Sequence, residues 1–598
     1  MRPLGFISAV VVASFICASN SFGQGSKSHT PEYGIAFAGF GPLNSDIFIA
    51  DADGKNAHPL SPHPALDINA SFSPDGRSII FTSMRDGTGD IYRVNIDGSG
   101  LRRLTRDPAF DDQGALSPDG RFLAFTSSRS GQADIWILDL KTGALRNLTN
   151  HPGGDFRAAW SPDGQWIAFS SDRMSRHPRS KAQFFTLQST EVFIVHPDGS
   201  GLRQITHDDA FTGSPSWSAD GKSLFCHQAS IDELDNIVSA RRLRGTTQIM
   251  RIDMATGGQT VLTGGKGEKW SPQQLADGRI GYVSGGPEGG VEFAGGAPGA
   301  RGEIRNPRWS PDGRHMAFQR DVDTNWPPFK PWPSRDPMIR LVRMGVFPSW
   351  SEPLVIENDQ TAGVLHNSIL ALKPDGTGQK VLFTDADRTA LAPVLSRQGD
   401  RIAFGLGGFF QMVKGKSVAD IAVINTDGTG LRLLTDGSGN AGFPNWSPDG
   451  KLIVYRRSTE TGSSLFILDI ATRASHLLTS GRHENFPTWS PKGDRIAFTS
   501  DRTGDYEIYT IRPDGTGLTQ LTHSPGNEGH NSWSPDGEWI AFTSAHEGYK
   551  DEALLHPHNP QSYGDIYIMR ADGSDMRMLT DDPYEEGTPS WFAVAPAR

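Results

Sequence analysis

Trp160-Ser161-Pro162-Asp163-Gly164 and Trp533-Ser534-Pro535-Asp536-Gly537 are two copies of one phrase. Working outward, an apolar residue stands in the same place at Phe72, Leu116, Trp160, Trp217, Trp270, Trp309, Trp350, Leu395, Trp446, Trp489, Trp533 and Trp591. Successive copies often lie 43 or 44 residues apart. Residues 69–112 give the type unit. Asn69-Ala70-Ser71-Phe72 reads as a short strand A, and Ser73-Pro74-Asp75-Gly76 has Pro and Gly where a type I turn wants them. Ser78-Ile79-Ile80-Phe81-Thr82 is a β-branched and aromatic strand B. After a polar loop come strand C, Asp90 to Asn95, a Gly-containing turn at Asp97-Gly98-Ser99-Gly100, and strand D, Leu101 to Thr105.

Four short antiparallel strands per period of this length are the signature of a β-propeller blade, which buries its faces only against neighbouring blades. The repeated Trp, Phe and Leu positions are then contacts between blades. Twelve blades exceed one ring, since propellers carry about four to eight. The chain opens on strands B, C and D, from Tyr33 to Leu60, and closes on an A strand at Pro589-Ser590-Trp591-Phe592. The expected fold is all-β: two tandem six-bladed propellers of four-stranded antiparallel blades, at 33–309 and 310–598. The A strand at 306–309 would close the first ring onto Gly34 to Leu60. If the C-terminal strand takes the N-terminal one instead, the rings interlock. Residues 271–305 are the irregular blade, because Gly285 to Gly302 is Gly-rich, and an uneven division such as seven and five stays open.

Composition agrees with a turn-rich architecture: 68 Gly and 40 Pro in 598 residues. Net charge is −11, and no basic stripe marks a nucleic-acid or anionic-membrane partner. Residues 1–23 read as a signal peptide, with Arg2, an apolar run from Leu4 to Ala18, and small residues at Ser21 and Gly23. Residues 24–32 are a linker. Bulky Ile16 before Cys17 departs from a lipoprotein signal. No other stretch is long and apolar enough to span a bilayer, so the expectation is an exported, soluble protein, periplasmic or extracellular. Cys226 then remains alone, as a small buried residue on a strand.

The units resemble the WD40-like (PD40) repeats of the TolB family. They share aromatic-Ser-Pro-Asp-Gly, an Ile-Ala-Phe strand (Ile167-Ala168-Phe169, Ile496-Ala497-Phe498, Ile540-Ala541-Phe542), Asp-Ile-Tyr, Asp-Gly-Ser-Gly and Leu-Thr. The resemblance covers residues 33–593 and implies the blade fold. The same blades serve peptidases, lyases and binding proteins, so it carries no single function. The family's namesake has an α/β domain before its propeller. Here repeats begin ten residues after the expected cleavage site, so the resemblance is to the repeat, and partner binding by that domain is not carried over.

Length varies mainly in B–C slots: Met174 to Thr190, His227 to Gly245, Arg320 to Pro337, Leu406 to Ser417 and Ala545 to Gly564. B–C and D–A loops share one face, which is the expected working face. On it, six residues before the motif Ser or its equivalent, stand Asp67, Asp111 and Asp155, then Glu484, Glu528 and Glu586. Grouped at a tunnel mouth, three carboxylates per ring suit Ca²⁺ or another divalent cation, or a basic partner segment. Alternatively they pair with Arg85, Arg129, Arg173 and Arg502 of the same face. His530 joins this set as a mouth residue. The loop from His546 to Gly564 carries His546, Glu547, Asp551, Glu552, His556 and His558, a mixture suited to a transition metal or to acid–base work, without a His-Glu-x-x-His motif.

No nucleophile elbow, Walker loop, dinucleotide fingerprint or Cys cluster is present in the sequence. The expected function is a non-catalytic scaffold binding a protein or cell-envelope polymer through the B–C/D–A face. The alternatives are a propeller-type carbohydrate-active lyase or hydrolase with a metal-assisted site on that face, and a propeller acting beside a separate peptidase chain.

Overall fold

The computed structural model describes residues 33–41, 43–175, 189–230, 246–286, 288–323, 330–351, 354–358, 368–408, 418–459, 462–481, 483–552 and 564–594. The expected signal peptide and linker, most residues of the long B–C insertions, and His556 and His558 lie outside them. Among the described residues the regular elements are all strands, and no helix is long and apolar enough to cross a membrane.

The type unit forms as its residues dictate. Gly76 N–H donates to the Ser73 carbonyl at 2.8 Å, the Ser73 hydroxyl donates to Asp75 at 2.6 Å, and the Ser78 amide donates back to that hydroxyl at 3.0 Å. Gly76 has φ +68°, which explains the Gly that ends the motif. The turn joins strands Asp67–Phe72 and Ser78–Ser83, and Asp90–Asn95 and Arg102–Arg103 complete the blade.

Packing between blades closes two circuits. In the first, the blades beginning at Asp67, Asp111, Asp155, Phe211, Lys269 and Arg305 pack in that order and return to Asp67. In the second, those beginning at Val346, Thr389, Asn440, Glu484, Glu528 and Glu585 do the same. Trp side chains stitch the seams. The indole N–H of Trp160, Trp217, Trp446, Trp533 and Trp591 donates to Ala115, Ala159, Val394, Thr488 and Ser532 carbonyls of the preceding blade, at 3.0 to 3.2 Å.

Two strands stand away from the expected boundary at 309/310. Tyr33–Phe40 does not sit in the first circuit. It lies antiparallel to Glu585–Ala593, with Gly34 opposite Phe592, and parallel to Ile339–Met344, with Tyr33 opposite Ile339. In exchange, His315–Asp323 belongs to the first circuit, between Arg305–Trp309 and Asn44–Asp51. The chain therefore crosses between rings twice, around residue 42 and again after Asp323. The span Arg320 to Pro337 is this second crossing and not a B–C insertion. It contains Lys330–Trp332, the outer strand of the second ring's closing blade.

The Gly-rich blade has three strands, Lys269–Gln274, Ile280–Ser284 and Gly290–Phe293. Its register shifts between Trp270 and Gln273, so Gln274, not Trp270, fills the slot that holds Trp160 elsewhere. Cys226 is buried beside Ala168, Val192 and Leu224, and burial pushes its thiol up.

Candidate binding face and inter-ring junction

Each inner strand carries one β-bulge, where a residue is inserted and the ladder shifts. The inserted residue has positive φ in all twelve blades. Such φ values are uncommon for non-Gly residues. In the first ring these residues are Asn69, Gln113, Arg157, Ser214, Ser271 and Asn306. In the second they are Phe347, Ala392, Phe443, Phe486, His530 and Thr588. They meet across each ring. The Asn306 side-chain amide donates to the Asn69 side chain at 2.7 Å, and the Gln113 carbonyl oxygen accepts from Arg157 N–H at 2.7 Å. Phe443 lies 5.7 Å from Phe347 and 4.8 Å from Phe486, and His530 lies 4.1 Å from Phe486. The first axis is polar and the second is an aromatic plug.

His530 is thus an axial residue, half-buried and packed on Phe347 and Phe486. Burial holds its imidazole down at about 3, which keeps the ring neutral.

The carboxylates of the expected ring of acids are mostly tied to arginine. Arg85 reaches Asp67 at 2.7 Å, Arg129 reaches Asp111 at 2.6 Å, and Arg173 reaches Asp155 at 2.8 Å; Arg502 pairs with Glu484. All four carboxylate side chains are fully buried. Each guanidinium also donates to a serine, Ser83, Ser127, Ser171 or Ser500, and lies over two aromatic rings, such as Phe81 and Tyr92 for Arg85. The spacing acid-x₁₅-Ser-x-Arg is therefore a structural clip. Burial still outweighs the arginine, holding Asp67 up at about 7 and Asp111 at about 6.

Glu528 and Glu586 break the pattern. At the arginine slot after Ser544 stands His546, and Glu528 lies beside Glu507; burial and that neighbour push it well above the usual range. Glu586 sits opposite Gly39 of the N-terminal strand, and burial with Asp582 and Asp565 pushes it up likewise. Among the described residues no group of three His, Cys, Asp or Glu side chains could hold a metal ion. Arginine pairs with the carboxylates of Asp67, Asp111, Asp155 and Glu484, and burial pushes Glu528 and Glu586 up toward the protonated form.

The 545–552 segment divides in two. Asp551 and Glu552 leave the second ring and enter the axis of the first. Asp551 receives the Arg157 guanidinium at 2.9 and 2.5 Å, with both side chains buried. Glu552 accepts from the Ser170 hydroxyl at 2.5 Å and from the Ser214 backbone N–H and hydroxyl at 2.5 and 2.8 Å, and lies 3.7 Å from His227. Lys550 stays behind, paired with Asp565 and, at 2.7 Å, with Asp581. Asp581 in turn accepts from the Phe110 N–H at 3.1 Å and the Ser128 hydroxyl at 2.8 Å across the junction. Leu66, Met84 and Tyr584 add an apolar contact. His546 and Glu547 remain outside, in a cleft of about 690 Å³ shared by Pro108, Arg335, Asp336, Tyr567, Met576 and Arg577. The proposed metal set is thereby split between two places.

The first ring thus meets the second through its B–C/D–A face. Sequence reasoning missed Arg157, Asp581 and the part played by Tyr567. The axial set had a readable signal, four residues before the motif Ser or its equivalent: polar in the first half, mostly apolar in the second.

Residues 33–113 and 400–551 match the model of the TolB beta propeller domain, and residues 89–285 match that of the Tricorn protease N-terminal beta propeller domain. A TolB homolog of Chlorobium luteolum is 35% identical over 177 residues, 29% of this chain and 37% of the relative. An uncharacterized protein of Agrobacterium fabrum is 33% identical over 219 residues, 36% of this chain and 58% of the relative. The chain thus matches less than two thirds of the length of either relative. A solved oligogalacturonate lyase of Vibrio parahaemolyticus is 14% identical, with 79% of this chain and 98% of that one covered at a TM-score of 0.30. Over residues 33–113 and 400–551 the blades of this chain are thus similar to those of the TolB beta propeller domain.

Proposed function

We propose that this protein is an exported, non-catalytic binding scaffold, and that its partner, a protein or envelope polymer, engages the B–C/D–A loops around the junction of the two rings. One observation supports this above the others. The described ends of the loop slots that vary in length lie on the face through which the first ring receives the second. Loops on a rigid scaffold are the usual place for recognition. The clips and the axial plugs lock the scaffold beneath those loops and leave their carboxylates and His530 committed to structure.

Affinity capture from an envelope extract tests the reading, with full-length protein compared against a form in which residues 177–187 and 232–244 are replaced by short Gly-Ser links. Specific capture by the full chain and its loss on trimming, with thermal unfolding unchanged, is the expected result. Turnover of a polysaccharide by purified protein, with or without a divalent metal, would overturn it.

A further inference from the structure

The cleft beside His546 and Glu547 is built by both rings. Pro108 comes from a D–A loop of the first ring, and the remaining walls come from the second. At its base Tyr567 is 4% exposed, and its hydroxyl has no hydrogen-bond partner among the described residues. One carboxylate oxygen of Glu547, Oε2, is buried and equally unpartnered. A buried polar group without a partner carries a desolvation cost that is normally relieved by a bond.

Sister blades show what is missing. The equivalent hydroxyl of Tyr92 donates to Asp86 at 2.5 Å, and that of Tyr509 lies 2.9 Å from the Thr503 hydroxyl. Both partners come from the blade's own short B–C loop. In the Tyr567 blade that slot is the long insertion, whose described start runs to the first ring instead.

Charge decides what fits. Arg335 is already paired with Asp581 at 3.1 Å, and Arg577 with Asp336 at 2.7 Å. Glu547 faces the negative field of Asp581. Burial and that neighbour hold it up at about 7, against the pull of Lys550 and Arg335. Met576, Met578, Pro108 and Pro337 supply apolar walls. Thioethers adapt to flexible guests, and a long aliphatic stem lies well along such a surface while its charged head reaches a carboxylate.

We propose that this cleft takes the ammonium or guanidinium head of a lysine or arginine side chain presented by a polypeptide partner, with Glu547 accepting from the cation and Tyr567 completing its hydrogen bonds. This rests on the scaffold reading above and narrows the partner to a polypeptide with an exposed basic residue.

Isothermal titration of full-length protein at pH 8 tests it, with N-acetyl-arginine amide and N-acetyl-lysine amide as probes and N-acetyl-norleucine amide as the neutral control. Saturable binding of the cationic probes is expected. Glu547→Gln should weaken it about tenfold or more, the loss expected for a hydrogen bond to a charged group. Tyr567→Phe should weaken it by a smaller factor. Circular dichroism melting of both variants separates lost binding from lost folding. Absent binding, equal binding of the neutral control, or an unchanged Glu547→Gln variant overturns the inference. Capture of an envelope partner that persists in Glu547→Gln would sink this site and leave the scaffold reading standing. If nothing is captured while the cationic probes bind, the scaffold reading fails and the cleft survives as a site for small cations.

Discussion

At the same bulge of the same inner strand, the first ring places Asn69, Gln113, Arg157, Ser214, Ser271 and Asn306, and the second places Phe347, Ala392, Phe443, Phe486, His530 and Thr588. The turn recurs through both rings, and each ring has clips and Trp stitches in some of its blades. An aromatic set excludes water and gives a self-sufficient core. A polar set buries groups that each need a partner, so the first ring is completed by Asp551 and Glu552 from the second. Among the described residues, the ring contacts of Phe347, Phe443, Phe486 and His530 are with one another.

The most drastic way to break that comparison is to delete Tyr33–Phe40. The second ring then loses the strand between Glu585–Ala593 and Ile339–Met344. Limited proteolysis should open 330–593 first, with 44–323 following as it loses Asp551 and Glu552; a first ring left fully protected would show that it does not depend on those two residues.

Asp551→Ala should cost about 3–5 kcal/mol, since it strands a buried guanidinium. Hydrogen exchange should show the loss in the first ring, although the residue belongs to the second. Phe486→Ala should cost a similar amount, about 3–5 kcal/mol for a large aromatic in a packed core, and only in the second ring. Exchange that changed equally in both rings for either variant would erase the contrast between the axes.

A smaller effect is expected at a clip. Arg129→Gln leaves Asp111 buried without its cation, at about 1–3 kcal/mol near pH 8. The cost should shrink at pH 5, where the carboxyl, already held up at about 6, takes a proton.

The smallest effect is the pH trend of the whole chain. Asp67 and Asp111 titrate higher folded than unfolded, so between about pH 4 and their folded values the native state binds more protons. Stability is therefore greatest below that window and falls as pH rises through 6 to 7. The melting temperature should be a few degrees higher at pH 5 than at pH 8, and Asp67→Asn should narrow the gap. The turn aspartates Asp75, Asp119 and Asp163 are held low by their serine hydroxyls, so their support is lost only in stronger acid.

Blades, turns and seams were legible because each repeats a local rule: Pro and Gly at fixed turn positions, alternation in strand B, an aromatic at the seam. The clips were legible too, as the alternative pairing of Asp67 with Arg85 and its sisters. The exchange of strands was legible only as an alternative, in which the C-terminal strand takes the N-terminal one and the rings interlock. Ile35-Ala36-Phe37 and Met316-Ala317-Phe318 present nearly the same pattern, so periodicity does not say which ring each will join. Trp270 misled for a related reason, since an aromatic next to a serine mimics the seam when the bulge lies one residue later. The reach of Asp551 to Arg157 spans 394 positions and obeys no repeat, so only the packed rings reveal it.

The seating of Tyr33–Phe40 beside Glu585–Ala593 has a consequence for biosynthesis. The earliest strand of the folded body waits for the last one. The strands of the first propeller are all present once Asp323 has been delivered, although its axial partners Asp551 and Glu552 come later, whereas its neighbour lacks a strand partner until nearly the whole polypeptide has arrived. Clipping the head of the protein afterwards would reopen that late seam.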